Sequence, residues 1–250
     1  MRRLAFALAC MAAAMGGSAA GPESCDTPGS LTYTDGQLRA VAAAVKTDRR
    51  LEVLVEGTGS SALAGNQGAG NSYPARLEAK LAKRLPGVEV KVRTDIKSRR
   101  TAAEMNQLLG KLALDGKPNL VIWQTGTVDA MRSVDPEEFR STLESGVVAL
   151  HAAGVDVILV NMQYSPRTET MVSVGPYADA MRWVAQQHDV PLFDRLSIMK
   201  HWSESGTFDL TGPDKTQVAE RVHDCVGLLL ANMIVEAAKL PPSNPTKETR

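Results

Sequence analysis

The chain has 250 residues, of which 44% are hydrophobic, and its 28 basic and 28 acidic side chains leave no net charge. This length is sufficient for one domain with its own hydrophobic core. The balanced charge excludes the basic surface typical of nucleic-acid-binding proteins, and three cysteines are too few for a disulfide scaffold.

The N-terminus is typical of a cleavable secretory signal. Arg2 and Arg3 precede an almost wholly apolar run over residues 4–15, which is too short to span a membrane. An uncleaved anchor, or a lipoprotein signal ending at Cys10, is the alternative. We expect a secreted or periplasmic protein with no transmembrane span in the mature chain. The predicted organisation is a signal peptide (1–20), a flexible leader (21–34), one domain (35–240) and a disordered tail (241–250).

Cleavage of the signal would leave two cysteines, Cys25 and Cys225. In an oxidising compartment they could form a disulfide that ties the N-terminal segment to the last predicted helix. Two buried free thiols are the alternative, and the sequence does not decide between them.

Beyond the leader, strand-like and helix-like segments alternate along the chain. Short runs rich in β-branched residues occur at 51–55, 88–92, 120–123, 155–160 and 190–193. Helical patterns occur between and after them, at 73–85, 101–114, 135–154, 176–188 and 216–239. This alternation predicts right-handed crossovers, and therefore a three-layer α/β/α sandwich around a five-stranded parallel sheet.

Helix-start signals support two of these boundaries. Thr101 and Glu104 have the spacing of a capping box, which satisfies free backbone donors at a helix start. Asp135 precedes Pro136 at the start of the next helix, where a side-chain acceptor followed by proline is favoured.

Ligands of such sheets bind at the carboxyl ends of the strands. The GTGSS turn (57–61) follows the first strand, so it belongs at that edge. The loops after the other four strands, 94–100, 124–131, 161–170 and 195–217, should reach the same edge. The turn could present a serine nucleophile there, or its glycines could serve only to make a tight turn.

Several blocks, in the same order, resemble the SGNH/GDSL hydrolase superfamily. They are GSSALAG (59–65), YPARLEAKLAKRLPGVEV (73–90), TAAEM (101–105), LVIWQTGTVDAM (120–131) and PLFDR (191–195). The resemblance implies a flavodoxin-like fold and serine-dependent hydrolysis of esters or acyl groups. In that family a histidine accepts the serine proton and an aspartate three residues earlier orients the histidine. A glycine, an asparagine and a backbone N–H of the serine turn bind the oxyanion.

The resemblance leaves three registers for the nucleophile. Matching GSSALAG selects Ser61, aligning through the strand and Gly57 selects Gly59, and an intermediate register selects Ser60. Ser61 and Ser60 are therefore the candidate nucleophiles, and Gly59 belongs to the candidate oxyanion pocket. Alternatively, both serines only cap the following turn or helix.

One departure from the family pattern concerns the oxyanion. The family's G-x-N-D block reads Gly126, Thr127, Val128 and Asp129, so the asparagine donor is replaced by a valine. Loss of one oxyanion donor typically costs about 10²–10³ in rate.

A second departure concerns the base. The family's D-x-x-H block reads Asp214 to Gln217, and glutamine cannot accept a proton near neutral pH. His201, between the fifth strand and the last helix, and His223, further along that helix, are the candidate replacement bases. We therefore expect ester hydrolysis to be impaired or absent.

Other polar side chains predict a ligand pocket at the same edge. Gln124 and Gln217 would join the pocket, and Lys97, Arg99 and Arg100 precede a helix start, where they suit an anionic or carbohydrate ligand. Gln163 and Tyr164 follow the fourth strand as further ligand-binding candidates. No motif for a metal or cofactor is present, so none is predicted, and the oligomeric state does not follow from the sequence.

Three functional hypotheses remain. The first is an exported relative of serine esterases that binds a small-molecule, acyl-ester or carbohydrate ligand and has lost efficient ester hydrolysis. The second is an active esterase or deacylase that uses Ser61 or Ser60 with Asp214 and a non-standard base. The third is a structural envelope protein that uses the fold as a scaffold.

Overall fold

The computed structural model describes residues 25–241. The predicted signal peptide (1–20) and residues 242–250 of the predicted tail lie outside the described residues. The strands are β1 (Arg50–Gly57), β2 (Glu89–Ile96), β3 (Leu120–Gln124), β4 (Asp156–Val160) and β5 (Leu192–Phe193). The α-helices are α1 (Gly29–Thr32), α2 (Arg39–Ala43), α3 (Gly68–Asn71), α4 (Tyr73–Arg84), α5 (Ala102–Gly116), α6 (Thr127–Met131), α7 (Pro136–Ala152), α8 (Pro166–Met171), α9 (Gly175–Gln187), α10 (Arg195–Glu204) and α11 (Lys215–Ala237).

The five strands form one parallel sheet in the order β2-β1-β3-β4-β5. This order confirms the predicted flavodoxin-like α/β fold. Strands β3 and β4 are buried along their whole length, as expected for a parallel sheet covered on both faces. Strand β2 is half-exposed and pairs only with β1, so its charged side chains protect an open edge.

Two apolar clusters lie on the two faces of the sheet. One contains Val53 and Val55 of β1 together with residues of α4, α10 and α11. The other contains Leu54 of β1 together with residues of α5, α7 and α9. Successive β1 side chains alternate between the two clusters, because side chains of a strand point to opposite faces in turn. The three-layer arrangement is therefore confirmed.

The N-terminal segment is tied to the last helix. Cys25 and Cys225 form a disulfide that spans 200 residues of sequence, with Cα atoms 5.3 Å apart. Close by, the indole Nε1 of Trp202 donates to the carbonyl of Asp26 at 3.1 Å. Residues 25–34, assigned to the leader on sequence, thus contact the domain and contain α1.

The segment after β5 differs from the prediction. The sequence suggested a long loop over 195–217, whereas residues 195–204 form α10. Asp194 caps this helix by accepting from the Ser197 N–H at 3.1 Å, and Ile198 and Trp202 are buried one turn apart. Within residues 25–241, no helix has the length and apolar character needed to cross a membrane.

Candidate functional site

The serine turn folds back onto the end of β1. Residues Gly59–Ser61 form one 3₁₀ turn directly after the strand. A Cβ on Gly57 would overlap the Ser61 hydroxyl, so the close return of the chain requires glycine at that position. Gly59 is exposed at the outer side of the turn, and a Cβ there would lie 2.9 Å from the Ser98 hydroxyl.

Ser61 is fully buried beneath this turn. Its hydroxyl donates to the side-chain oxygen of Gln124, at the end of β3, and the Tyr73 hydroxyl approaches it at 3.4 Å. An amide oxygen accepts a hydrogen bond but cannot accept the proton itself near neutral pH. Ser61 is therefore neither accessible nor paired with a base.

Ser60 is half-buried and is held by the same glutamine. The Gln124 Nε2 donates to the Ser60 hydroxyl at 2.8 Å, so one amide bridges the two candidate nucleophiles. Gln124 also donates to the Thr58 hydroxyl at a longer 3.4 Å. One glutamine side chain therefore bonds to three hydroxyls of the turn and holds the turn in place.

Arg195 lies beneath the turn and has no accessible surface. Its Nη1 donates to the Ser60 carbonyl at 3.0 Å and approaches the Gln124 side-chain oxygen at 3.5 Å, while Nη2 donates to the Gln163 side chain at 3.2 Å. Burial lowers the pKa of Arg195 to about 10, which still leaves the guanidinium charged at neutral pH. Among the described residues, no carboxylate lies within 4 Å of this cation.

His223 joins this network through Tyr73, and it is 4% exposed. Its Nδ1 accepts the backbone N–H of Tyr73 at 2.9 Å, so the lone pair that could take a proton is already used. Burial and the charge of Arg195 lower the pKa of His223 to about 3. The imidazole is therefore neutral at physiological pH and donates no hydrogen bond to either serine.

The other predicted relay residues lie in α10 and at the start of α11. Asp214 and Gln217 are both exposed at the start of α11, and the Asp214 side chain makes no cap hydrogen bond there. His201 is half-buried in the last turn of α10. Of these three side chains, none is hydrogen-bonded to Ser60 or Ser61 within the described part of the chain.

The block that replaces the family's G-x-N-D has a structural role. Gly126 has a φ of 102°, and a Cβ there would lie 2.5 Å from the Met162 sulfur, so only glycine fits. The carboxylate of Asp129 is buried and accepts the Ala102 N–H at 2.9 Å, which fixes the start of α5. Burial raises the pKa of Asp129. The Thr127 hydroxyl is buried with no hydrogen-bond partner in the described structure.

Of the three basic residues predicted to bind a ligand in the loop before α5, two are exposed and one is buried. Lys97 and Arg99 are exposed. Arg100 is buried, donates a hydrogen bond to the Glu56 carboxyl and forms an ion pair with Asp95 at 2.8 Å. Burial and the charge of Asp95 raise the pKa of Glu56 to about 8. Arg100 therefore bonds to buried groups inside the protein. Lys97 and Arg99 are the basic residues of this loop that are open to solvent.

A cavity of about 190 Å³ lies beside the network at the carboxyl edge of the sheet. Gln163, Tyr164, Arg195 and His223 contribute to its wall. A larger cavity of about 450 Å³ lies beside Asp156, at the amino end of β4. Because ligands of parallel sheets bind at carboxyl ends, the smaller cavity is the better candidate. Among residues 25–241, no group of three or more His, Cys, Asp or Glu side chains is arranged to hold a metal ion.

The sequence reasoning missed two members of the network, Arg195 and Tyr73. Arg195 follows β5 almost directly, at the edge where ligands bind, and this position could have identified it. Tyr73 was predicted only as the first residue of an amphipathic helical segment, 73–85. Its burial agrees with that assignment, but its hydroxyl and backbone N–H also link Ser61 to His223.

A family model described as the Non-GDSL lipase-like family matches residues 24–240. The chain belongs to this family. No curated protein matches this Non-GDSL lipase-like chain. Its match to the family model, together with solved structures of esterases, confirms the relationship to the SGNH/GDSL hydrolase superfamily.

Three solved structures share the fold of this Non-GDSL lipase-like chain. A lipase/acylhydrolase from Enterococcus faecalis is 19% identical, with a TM-score of 0.61, and the match covers 78% of this chain and 99% of that one. TesA is 22% identical, with a TM-score of 0.56 and coverage of 73% and 99%. A catalytic mutant of an acetylxylan esterase from Geobacillus stearothermophilus is 16% identical, with a TM-score of 0.57 and coverage of 76% and 95%.

Proposed function

We propose that this Non-GDSL lipase-like protein is exported and binds a small-molecule ligand at the carboxyl edge of its sheet, with ester hydrolysis impaired or absent. The observation that carries the proposal is the pairing of both candidate serines with the Gln124 amide. A serine hydroxyl is a weak nucleophile unless an adjacent base removes its proton, and an amide is not a base.

The state of the one nearby imidazole supports the same proposal. His223 accepts a backbone N–H and has a pKa of about 3, so it does not take up a proton at neutral pH. The valine at position 128 also removes a side-chain donor from the oxyanion pocket. Both the base and one donor of the family's machinery are therefore missing.

The test is turnover of 4-nitrophenyl acetate and butyrate by the purified protein. We expect rates indistinguishable from those of the Ser60→Ala and Ser61→Ala variants, and no serine-dependent labelling by a fluorophosphonate. Turnover that disappears in either alanine variant, with the fold retained by circular dichroism, would overturn the proposal.

One observation favours hydrolysis through Ser60 as a second candidate function. The Ser60 hydroxyl is half-buried rather than enclosed, and it accepts from Gln124, so its own proton is not committed to that bond. Labelling at Ser60 alone, abolished by Ser60→Ala and retained by Ser61→Ala, would support this alternative.

Export is supported by two features. The first 20 residues have the pattern of a secretory signal, and the Cys25–Cys225 disulfide is typical of oxidising compartments. Expression in a bacterium followed by mass spectrometry of the periplasmic fraction should give a chain that begins near Gly21. A full-length chain confined to the cytosol would contradict export.

A further inference from the structure

The cavity of about 190 Å³ beside Arg195 is here called the Arg195 cavity. It is open to solvent on one side and has room for a ligand of a few heavy atoms. One part of its wall is apolar and is formed by Met199, Leu210, Val218 and Val222. A chamber of this size, with one apolar wall, suits a short chain carrying one polar end.

The polar part of the wall contains a buried cation with unused donors. A guanidinium has five N–H donors, and that of Arg195 meets three side-chain or carbonyl acceptors. Its Nε is buried and has no hydrogen-bond partner within the described structure. Buried charges in proteins are normally paired, so this unpaired cation indicates a partner that the chain itself does not supply.

The remaining charges around the cavity reinforce this positive character. Lys215 adds a second cation at the exposed rim. The carboxylate of Asp209 also lines the cavity, but it accepts the Thr211 N–H at 3.0 Å and the Thr211 hydroxyl at 2.9 Å. His223 is neutral, as described above, so the cavity has two cations against one carboxylate that is already hydrogen-bonded.

We propose that the Arg195 cavity binds the carboxylate of a short aliphatic acid, with the carboxylate at Arg195 and the chain against Met199 and Val222. Arg195 has no accessible surface, so the carboxylate reaches the guanidinium by displacing the half-buried Gln163 side chain that accepts from Nη2. The freed Nη2 and the unpartnered Nε then donate the two parallel hydrogen bonds that match a planar carboxylate. A phosphate dianion fits less well, because it has no apolar part to contact the apolar side of the wall. This inference names the ligand class and site, and it rests on the proposed binding function.

The probe is sodium butyrate, titrated by calorimetry at constant ionic strength, with sodium phosphate and sodium chloride as separate arms. We expect saturable butyrate binding with a Kd near 1 mM, a saturable rise in Tm, and weaker binding of phosphate. Arg195→Met should weaken butyrate binding at least tenfold. No butyrate binding, or tighter binding of phosphate than of butyrate, would overturn the inference.

Two further variants make the result specific. Ala219→Leu fills the cavity from α11 without changing the cation, and it should also abolish butyrate binding, so the test survives if Arg195→Met does not fold. Arg84→Met is the matched control, because Arg84 ends α4 about 16 Å along the helix from Tyr73, and its binding should equal wild type. Butyrate binding unaffected by both Arg195→Met and Ala219→Leu would contradict the site.

Failure of this inference and failure of the proposed function give different results. If the protein neither binds butyrate nor hydrolyses the esters, the carboxylate site is wrong and the proposed loss of ester hydrolysis stands. If the wild type hydrolyses 4-nitrophenyl butyrate and Ser60→Ala does not, the proposed loss of ester hydrolysis is wrong, whatever the butyrate titration shows.

Discussion

The buried imidazole of His223 provides a pH test of the network. Its pKa is about 3 in the folded protein, against 6.5 for an unperturbed histidine. The unfolded chain therefore takes up a proton that the folded chain does not. The stability contributed by neutral His223 is fully present above pH 6.5 and is lost as the pH falls towards 3.

The size of the effect follows from these two pKa values. Between pH 7 and pH 5, the unfolded histidine becomes protonated and the folded one stays neutral, which costs about 2 kcal/mol of unfolding free energy at about 1.4 kcal/mol per pH unit. A folded pKa of 4 instead of 3 changes this figure by only about 0.05 kcal/mol, because both values lie below pH 5. The prediction therefore does not depend on the depth of the pKa shift.

The comparison uses His223→Asn, in which an amide oxygen can still accept the Tyr73 N–H but no longer titrates. Urea unfolding of both proteins is followed at pH 7 and pH 5 through the fluorescence of the buried Trp123 and Trp202. The wild type should lose about 2 kcal/mol more than the variant between the two pH values. Any constant cost of the substitution cancels in this difference.

Other groups also titrate, but they do so equally in both proteins. The raised pKa of Glu56, about 8, stabilises the fold at low pH, and this contribution is lost as the pH rises from 4.5 through 8. It opposes the histidine effect in each protein and cancels in the comparison. Equal pH dependence in wild type and His223→Asn, within about 0.5 kcal/mol, would refute a neutral buried His223.

Three further predictions concern the fold and the serine turn. Replacing Cys25 and Cys225 together by serine should lower the unfolding free energy by about 2–5 kcal/mol, measured by urea unfolding under non-reducing conditions, and an unchanged value would argue against the disulfide. Gly126→Ala should cost about 1–3 kcal/mol because of its positive φ and the methionine sulfur behind it, whereas Gly110→Ala, with open space around its Cβ in α5, should be neutral or stabilising by up to about 1 kcal/mol. Gln217→His should not raise 4-nitrophenyl butyrate turnover above background, because residue 217 is exposed at the start of α11 whereas Ser61 is fully buried. Serine-dependent turnover in that variant would contradict this placement of the two residues.

The fold could be predicted because its signals are local and repeated. The capping box of Thr101 and Glu104 appears as predicted, with the Thr101 N–H donating to the Glu104 carboxylate at 2.7 Å. Asp135 caps α7 by accepting from the Glu137 N–H at 2.9 Å. Strand and helix periodicities then fix the layers, since alternating segments of this kind have few other ways to bury their apolar faces.

The site was harder to predict because its members come together only through the tertiary structure. Ser61 and Gln124 are 63 residues apart in sequence, and Ser60 and Arg195 are 135 apart. A motif indicates which loop reaches the edge, but not which side chain of that loop is buried. Arg100 shows the same limit, because its place in a basic run suggested an exposed ligand-binding group and its pairing with Glu56 depends on the neighbouring strand.

Arg195 connects the proposed loss of ester hydrolysis with the proposed carboxylate site. A general base must become an imidazolium during catalysis, and a buried cation beside it makes that state less favourable. For His223 the lowered pKa corresponds to about 5 kcal/mol against protonation at 1.36 kcal/mol per unit, or more than a thousandfold in rate if proton transfer limits turnover. Burial is the larger cause of this lowered pKa and the charge of Arg195 is the smaller one, and only that charge favours a carboxylate in the cavity next to it. The proposed loss of hydrolysis and the proposed carboxylate site thus draw on the same buried cation beneath the serine turn.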